Sequence, residues 1–557
     1  MSTIFRYCIY QRLMLTTTTM TWSSRISWLN VTQVCRQWRS IALDSASTWS
    51  LIDFSHHSLT HEMILRSKAA PLDIEVMPDT LMPYHGMLDG LKEALSHIDR
   101  IRRLVLHTSP SLSDSGTLFS NLTKPAPLLQ KLEVYGGPYI SLPNNLFGGK
   151  ASRLRELKVS GLHFPWSGSL LKNLTTLALN EPHNEPLVDT CFRCPSTKQL
   201  IEVLQEMPGL EVLELTNSLP VHTSEKMLPR LVVELSRLRR LRLSGTLLNC
   251  TEVLRNITFP PSAALHITCK SFFATIITDL DAIPFFDRLC QIYSASSTGE
   301  DYFKSLSIDA KFPPFSLRAG DPTRRPEKLG ELLSTLLHVD LNIYDIAHRP
   351  TFRAAARTFP LGQLEELRLA FSLGDICLAS DFVELFGSLE SLKTLALDQR
   401  GIRNFLDALR SCDCGSDGEP PSGTASTSKW KLCRLVFPAL TTMKLTEVDF
   451  EEDFDGVGGF VDFLSFRRRH GKPIEKLVLT SCIQLYQGGV DRLTEVVQDV
   501  EWDGSVETYE DDEGDEDSDL DDDDFWGHEP FYYGSGDLYA DDESDGGWLD
   551  PPFDDLW

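Results

Sequence analysis

No stretch of this 557-residue chain approaches the roughly 18 apolar residues needed to cross a bilayer. In the opening MSTIFRYCIYQRLML, Arg6 and Arg12 break the apolar run, which makes a poor secretory signal. The absence of any acid before Asp44 is a mildly transit-peptide-like trait. Cysteines number only twelve and are scattered rather than framework-spaced, as expected of reduced thiols in the cytoplasm or nucleus. The pairs Cys191/Cys194 and Cys412/Cys414 lack a second CxxC or HxxxH at zinc-finger spacing, so they read as loop thiols. Neither a metal nor a cofactor is expected. Enzyme signatures are missing as well. There is no GxxxxGKS loop, no GxSxG elbow and no HExxH; His61-Glu62 runs on into Met-Ile-Leu. The glycines of DGVGGF (455–460) follow an acidic loop instead of a strand, which does not make a phosphate cradle. No catalytic residues are assigned.

Positive charge is absent from the last part of the chain. Between Leu493 and Trp557 there are 26 Asp and Glu and no Lys or Arg, which leaves 53 acids against 53 bases elsewhere. The body is neutral, and the tail carries the whole excess of −26. That excludes a generally basic, nucleic-acid-coating protein. Self-repulsion and a shortage of aliphatics predict a disordered acidic segment over 499–557. Aromatics such as Trp526, Tyr532 and Trp548 interrupt its acids, a pattern that docks on basic partners or simply solubilises.

What is abundant is a short leucine motif, LxxLxL. It occurs as IRRLVL (101–106), LQKLEV (129–134), LRELKV (154–159), LTTLAL (174–179) and LEVLEL (210–215). It returns as LRRLRL (238–243), LEELRL (364–369), LKTLAL (392–397), LTTMKL (440–445) and IEKLVL (474–479). Alternation at the end of each segment predicts a short strand with its apolar residues on one side. Successive fourth positions lie 28, 25, 20, 36, 28, 126, 28, 48 and 34 residues apart, several within the range of leucine-rich repeats. The longest gap holds weaker candidates, ALHI (264–267), SLSI (305–308) and HVDL (338–341). The 48-residue gap holds a Gly/Ser/Pro-rich insertion, 411–429. Amphipathic stretches such as TKQLIEVLQEM (197–207) predict return helices. A strand plus a return helix cannot bury its apolar edge alone, so neighbours must stack. The expected fold is therefore α/β: an irregular leucine-rich-repeat solenoid, or horseshoe, over 58–498, with strands on the concave face.

Residues 29–57 carry a second signal. Val31, Val34, Cys35, Trp38, Ile41 and Ala42 recur on one helical face, with Trp49 beyond a Ser/Ala turn. Periodicity alone reads this as a helical cap over the first repeat. The run VTQVCRQWRSIALDSASTW, followed by LIDFS, resembles the second half of the F-box of fungal F-box proteins. MILRSKAAPLDIEV (63–76) is similar to that family's entry into its repeat region, and FRRRHGKPIEKLVLTSC (466–482) to its closing unit. Residues 1–28 lack the Leu-Pro-x-Glu opening of such F-boxes, so they read as a disordered or mispredicted start. The resemblance implies a short helical F-box-like segment that docks a Skp-family adaptor and through it a cullin–RING ligase. It places that contact on Val31, Val34, Cys35, Trp38, Ile41 and Trp49, which internal packing also claims. The protein would then be the substrate-recognition subunit of an SCF-type E3 ubiquitin ligase, cytoplasmic or nuclear, and no membrane or nucleic acid would be involved. The alternative is a non-ligase scaffold whose acidic tail engages a basic, nuclear partner.

On each strand, positions three, five and seven of the motif point away from the leucines. They place Lys131, Tyr135, Lys158, Glu214, Arg240, Arg242, Arg368 and Lys444 on a substrate-binding face, together with Glu156 and Lys476. Arg237, Arg239, Arg240 and Arg242 are close enough to form a fork for a phosphate or carboxylate. An ordinary solvated strand face accounts for the same residues.

Overall fold

Each of the ten LxxLxL segments forms a strand, and the alternating leucines are the reason. In a computed structural model of the chain, the fourth and sixth residues of every segment, from Leu104 and Leu106 to Leu477 and Leu479, are buried. The structure describes residues 27–506 except 55, 77–86, 109–120, 138–141, 163, 167–168, 182–193, 221–231, 271–278, 295–302, 311–314, 321–334, 343–347, 358–360, 372–378, 388, 399–435 and 452–455. The chain divides into two units, 1–508 and 509–557. The second lies outside the described residues, as do the insertion 411–429, the start 1–26 and three of the paired cysteines, Cys191, Cys412 and Cys414.

The strands are β1 (Leu51–Ile52), β2 (Leu72–Val76), β3 (Ile101–His107), β4 (Lys131–Tyr135), β5 (Glu156–Ser160), β6 (Thr176–Asn180), β7 (Val212–Thr216), β8 (Val233–Glu234), β9 (Arg240–Gly245) and β10 (Ile257–Thr258). They continue as β11 (Ala264–Lys270), β12 (Ser305–Ala310), β13 (Phe315–Gly320), β14 (Thr335–Asn342), β15 (Glu366–Phe371), β16 (Thr394–Asp398), β17 (Thr442–Thr446), β18 (Lys476–Thr480) and β19 (Asp499–Trp502). All but the small β8–β10 pair join one 17-stranded sheet. From β1 to β7, then through β9 and β11, neighbours are parallel and follow chain order. Next come β14, β13 and β12, in reverse, before β15 to β19 resume the forward order. Strand β13 runs antiparallel to both its neighbours.

Ten α-helices are described, starting with α1 (Arg36–Asp44), α2 (His57–Arg66), α3 (Met87–Ser96), α4 (Thr197–Gln205) and α5 (Leu247–Asn256). The others are α6 (Asp279–Ser294), α7 (His348–Arg357), α8 (Ala379–Phe386), α9 (Val457–Arg469) and α10 (Gln487–Thr494). Helix α4 starts on a capping box, in which Ser196 Oγ accepts from Gln199 N and the Gln199 side chain accepts from Ser196 N. Apolar helix residues such as Leu200, Leu204, Val253 and Phe285 join the leucine-bearing face in one core. Three arginines tie the ends of helices or turns to later elements. Arg100 donates to Ser67 Oγ (2.9 Å) and the Lys68 carbonyl (2.7 Å), and Arg288 to the carbonyls of Leu254 and Ile257 (2.9 Å each). Arg467, only 1% exposed, donates to the carbonyls of Val436 (3.0 Å) and Phe437 (2.9 Å), and burial lowers its pKa to about 10.

This architecture corrects the expected one. A helical F-box-like segment followed by a leucine-rich-repeat solenoid is not what the chain forms; it forms one α/β assembly on a long, mostly parallel sheet. The amino-terminal segment is not a separate helical module. After α1 the chain enters β1, which pairs with β2, and Trp49, Ile52 and Phe54 lie in the common core. The leucine alternation correctly signals a buried side for each strand. It carries no information about strand direction or order, so β13 and the reversal at β14–β13–β12 break the uniform repeat that spacing alone implied. Strand β19 also runs past residue 498, where the acidic segment was expected to begin.

Candidate binding face and its histidine cluster

Strand register carries the polar side chains into rows on the side opposite the leucines. Position five of the motif aligns Glu133, Lys158, Ala178, Glu214 and Arg242 across β4, β5, β6, β7 and β9. The row continues through His266, His338, Arg318 and Ser307, then Arg368, Ala396 and Lys444. Five of the expected face residues, Lys158, Glu214, Arg242, Arg368 and Lys444, thus share one row. Lys131 and Arg240 stand in the row two residues earlier, and Tyr135 two residues later.

Much of this charge is matched within the face. Lys131 Nζ lies 3.0 Å from Glu133 Oε1 and 3.4 Å from Glu156 Oε2, and Lys158 Nζ lies 3.1 Å from Glu133 Oε1. Burial pushes the Glu133 pKa up, but the hydrogen bond from Lys131 and the charges of both lysines outweigh it and hold the carboxyl below its usual value. Tyr135 stacks on His107 at 4.3 Å; burial, then the Glu133 charge, raises its phenol pKa. Arg368 pairs with Asp398 at 2.8 Å and Lys444 with Glu366 at 3.5 Å.

The middle of the row is different. His266 on β11 faces His338 on β14 with ring centroids 4.5 Å apart. Asp340, two residues beyond His338 and so on the same side, has Oδ1 2.9 Å from His338 Nε2 and accepts from Ser316 Oγ at 2.8 Å. Thr268 Oγ1 lies 3.3 Å from His266 Nε2. From either flank a guanidinium reaches in: Arg242 Nη2 is 3.4 Å from His266 Nδ1, and Arg318 Nε donates to His338 Nε2 at 3.3 Å. Burial first, then the charges of His338 and Arg242, drives the His266 pKa down to about 4, with Asp340 opposing. His266 is therefore neutral at physiological pH. Desolvation raises the Asp340 pKa, and its bonds to His338 and Ser316 lower it further than that, so the carboxylate stays ionised.

Sequence reasoning missed His266, His338, Arg318 and Asp340. They come from the 126-residue gap, and only adjacency in the sheet brings them together. The weak segments ALHI and HVDL, which are β11 and β14, were the available signal.

The expected adaptor residues fare unevenly. Val34 is 61% exposed and Cys35 is exposed, its Sγ accepting from Trp38 N at the start of α1. Trp38 and Ile41 are half-buried. Trp49 is 0% exposed, donates from Nε1 to the Ala42 carbonyl at 2.8 Å and carries the Arg66 guanidinium over its ring at 5.0 Å. It is a packing residue. The side chain of Val31 lies outside the described residues.

Fold and face together define a mostly parallel α/β protein with helices packed on its apolar side and in-register polar rows on the other. No protein-family model matches the chain, and no curated protein matches it.

Proposed function

We propose that the protein is a non-catalytic recognition subunit that binds a partner protein on the polar side of its sheet. One observation carries the reading: twelve in-register positions, Glu133 to Lys444, run across twelve strands, and ten of them are polar, interrupted only by Ala178 and Ala396. So long a row suits an extended protein segment better than a small molecule, which calls for a concave pocket. Within this reading the chain is the substrate receptor of an SCF-type ubiquitin ligase. The resemblance of residues 29–54 to half an F-box supports it, as does the exposure of Val34 and Cys35. The face would raise the effective concentration of the bound protein near the ligase, with no chemistry by this chain.

Burial of Trp49 favours the second reading, a scaffold outside any ligase, because it withdraws one expected adaptor contact. Full-length protein and a purified Skp-family adaptor separate the two. The receptor reading expects saturable binding that Val34→Asp weakens at least about tenfold, the effect of placing a charge in an apolar contact. Absence of binding by the wild-type chain removes the receptor reading and leaves the scaffold.

A further inference from the structure

The geometry points to a divalent transition-metal site formed by His266, His338 and Asp340 on the polar side of the sheet. The inference stands on these side chains alone and is independent of the adaptor reading. One donor atom from each residue lies within 4.8 Å of the others, and the three are part-buried. Two imidazoles and one carboxylate are the donor set that zinc and its first-row neighbours take, and hard cations such as magnesium do not.

Backbone geometry supports the arrangement. His266 and His338 are register partners on adjacent parallel strands, and Asp340 follows His338 by one strand period. Outer contacts orient the set: Ser316 Oγ donates to Asp340 Oδ1, and Thr268 Oγ1 touches His266 Nε2. His338 Nε2 is oversubscribed. It lies 2.9 Å from the Asp340 acceptor and 3.3 Å from the Arg318 donor, and one nitrogen in one tautomer satisfies only one of them. A cation bound by both Nε2 and Oδ1 resolves that conflict, and the exposed Arg318 guanidinium is the charge now standing in its place. Arg242 caps His266 in the same manner. Both arginines must swing outward for metal to enter. At about 6 Å in a largely aqueous dielectric, each then weakens a doubly charged ion about tenfold. With three protein donors, a further coordination position faces solvent. The site spans the point where β14 replaces β12 beside β11, so bound metal would staple the strands whose order is reversed.

The test uses the full chain with Zn2+ in competition with a chromogenic chelator, and Co2+ for its visible spectrum. One saturable site is expected, with Co2+ bands free of thiolate charge transfer, which sets it apart from adventitious cysteine binding. His266→Asn and His338→Asn should each weaken Zn2+ at least about tenfold. The substitutions Arg242→Ala and Arg318→Ala leave all three donors in place and should each tighten binding about tenfold. Circular dichroism checks that the histidine variants fold; if they do not, the arginine variants decide. No saturable binding, a thiolate spectrum, retention of binding in the folded double-histidine variant, or no gain on removing the arginines overturns the site.

Discussion

Gly161 sits just past the end of β5 at φ +77°, and a Cβ there would come 2.1 Å from the carbonyl oxygen of Gly136. Backbone cannot yield as a flexible side chain can, so both the dihedral and the space exclude any other residue. Gly161→Ala should cost at least about 2 kcal/mol in denaturant unfolding. Gly209, with nothing within 4 Å of its would-be Cβ, is the matched control and should change little. Glu133 makes the second residue-scale case. Its pKa is lowered in the fold, so the unfolded chain binds more protons as pH falls toward and below the ordinary carboxylate value. The stability it contributes is therefore complete above about pH 4.5 and is lost with acidification. Glu133→Gln should flatten that part of the stability–pH curve, read by urea midpoints between neutral pH and the acid limb.

At the scale of elements, the arginine ties matter more than the many surface ion pairs. Arg467 leaves solvent almost entirely and is repaid by backbone carbonyls of residues 436–440, whose acceptors have little water to turn to. Arg467→Met fills the space but orphans those carbonyls, and a loss of about 2–4 kcal/mol is expected by thermal or urea unfolding. Arg239→Met, at a side chain 78% exposed, should stay within about 0.5 kcal/mol. Neither role was readable from sequence. FRRRH offers three adjacent arginines, and the helical turn alone decides that Arg467 points inward while Arg468 and Arg469 stay exposed. The strands were readable, because Leu132 and Val134, or Leu177 and Leu179, declare a buried side through alternation. Strand β13, FSLRAG, was not foreseen, since antiparallel direction leaves no trace in a two-residue period. The histidine cluster followed it out of view: His266 and His338 are ordinary polar positions until pairing of β11 with β14 sets them face to face. Five members of the row, Lys158, Glu214, Arg242, Arg368 and Lys444, were readable one by one, but not the stretch from His266 to Ser307 that joins them, nor the ion pairs that consume much of the charge.

At the scale of the molecule, among the described residues, one core runs from Trp49 to Val497 and unites the amino-terminal segment with α10. That continuity is why the amino-terminal helix and Trp49 cannot be assigned to partner contact as freely as their periodicity suggested. A sheet of this length must also stop somewhere. Among the described residues β19 pairs with β18 alone, which leaves a row of unmatched amides and carbonyls on its outer side. Such a border invites another chain to add a strand. The border here reads DVEW, followed by Asp503, with Asp499 and Glu501 both leaning toward Lys476 on the inner neighbour. Two molecules approaching border to border would bring like charges together along the whole length of contact. The composition of this one short strand therefore guards the protein against pairing with the same strand of a second copy.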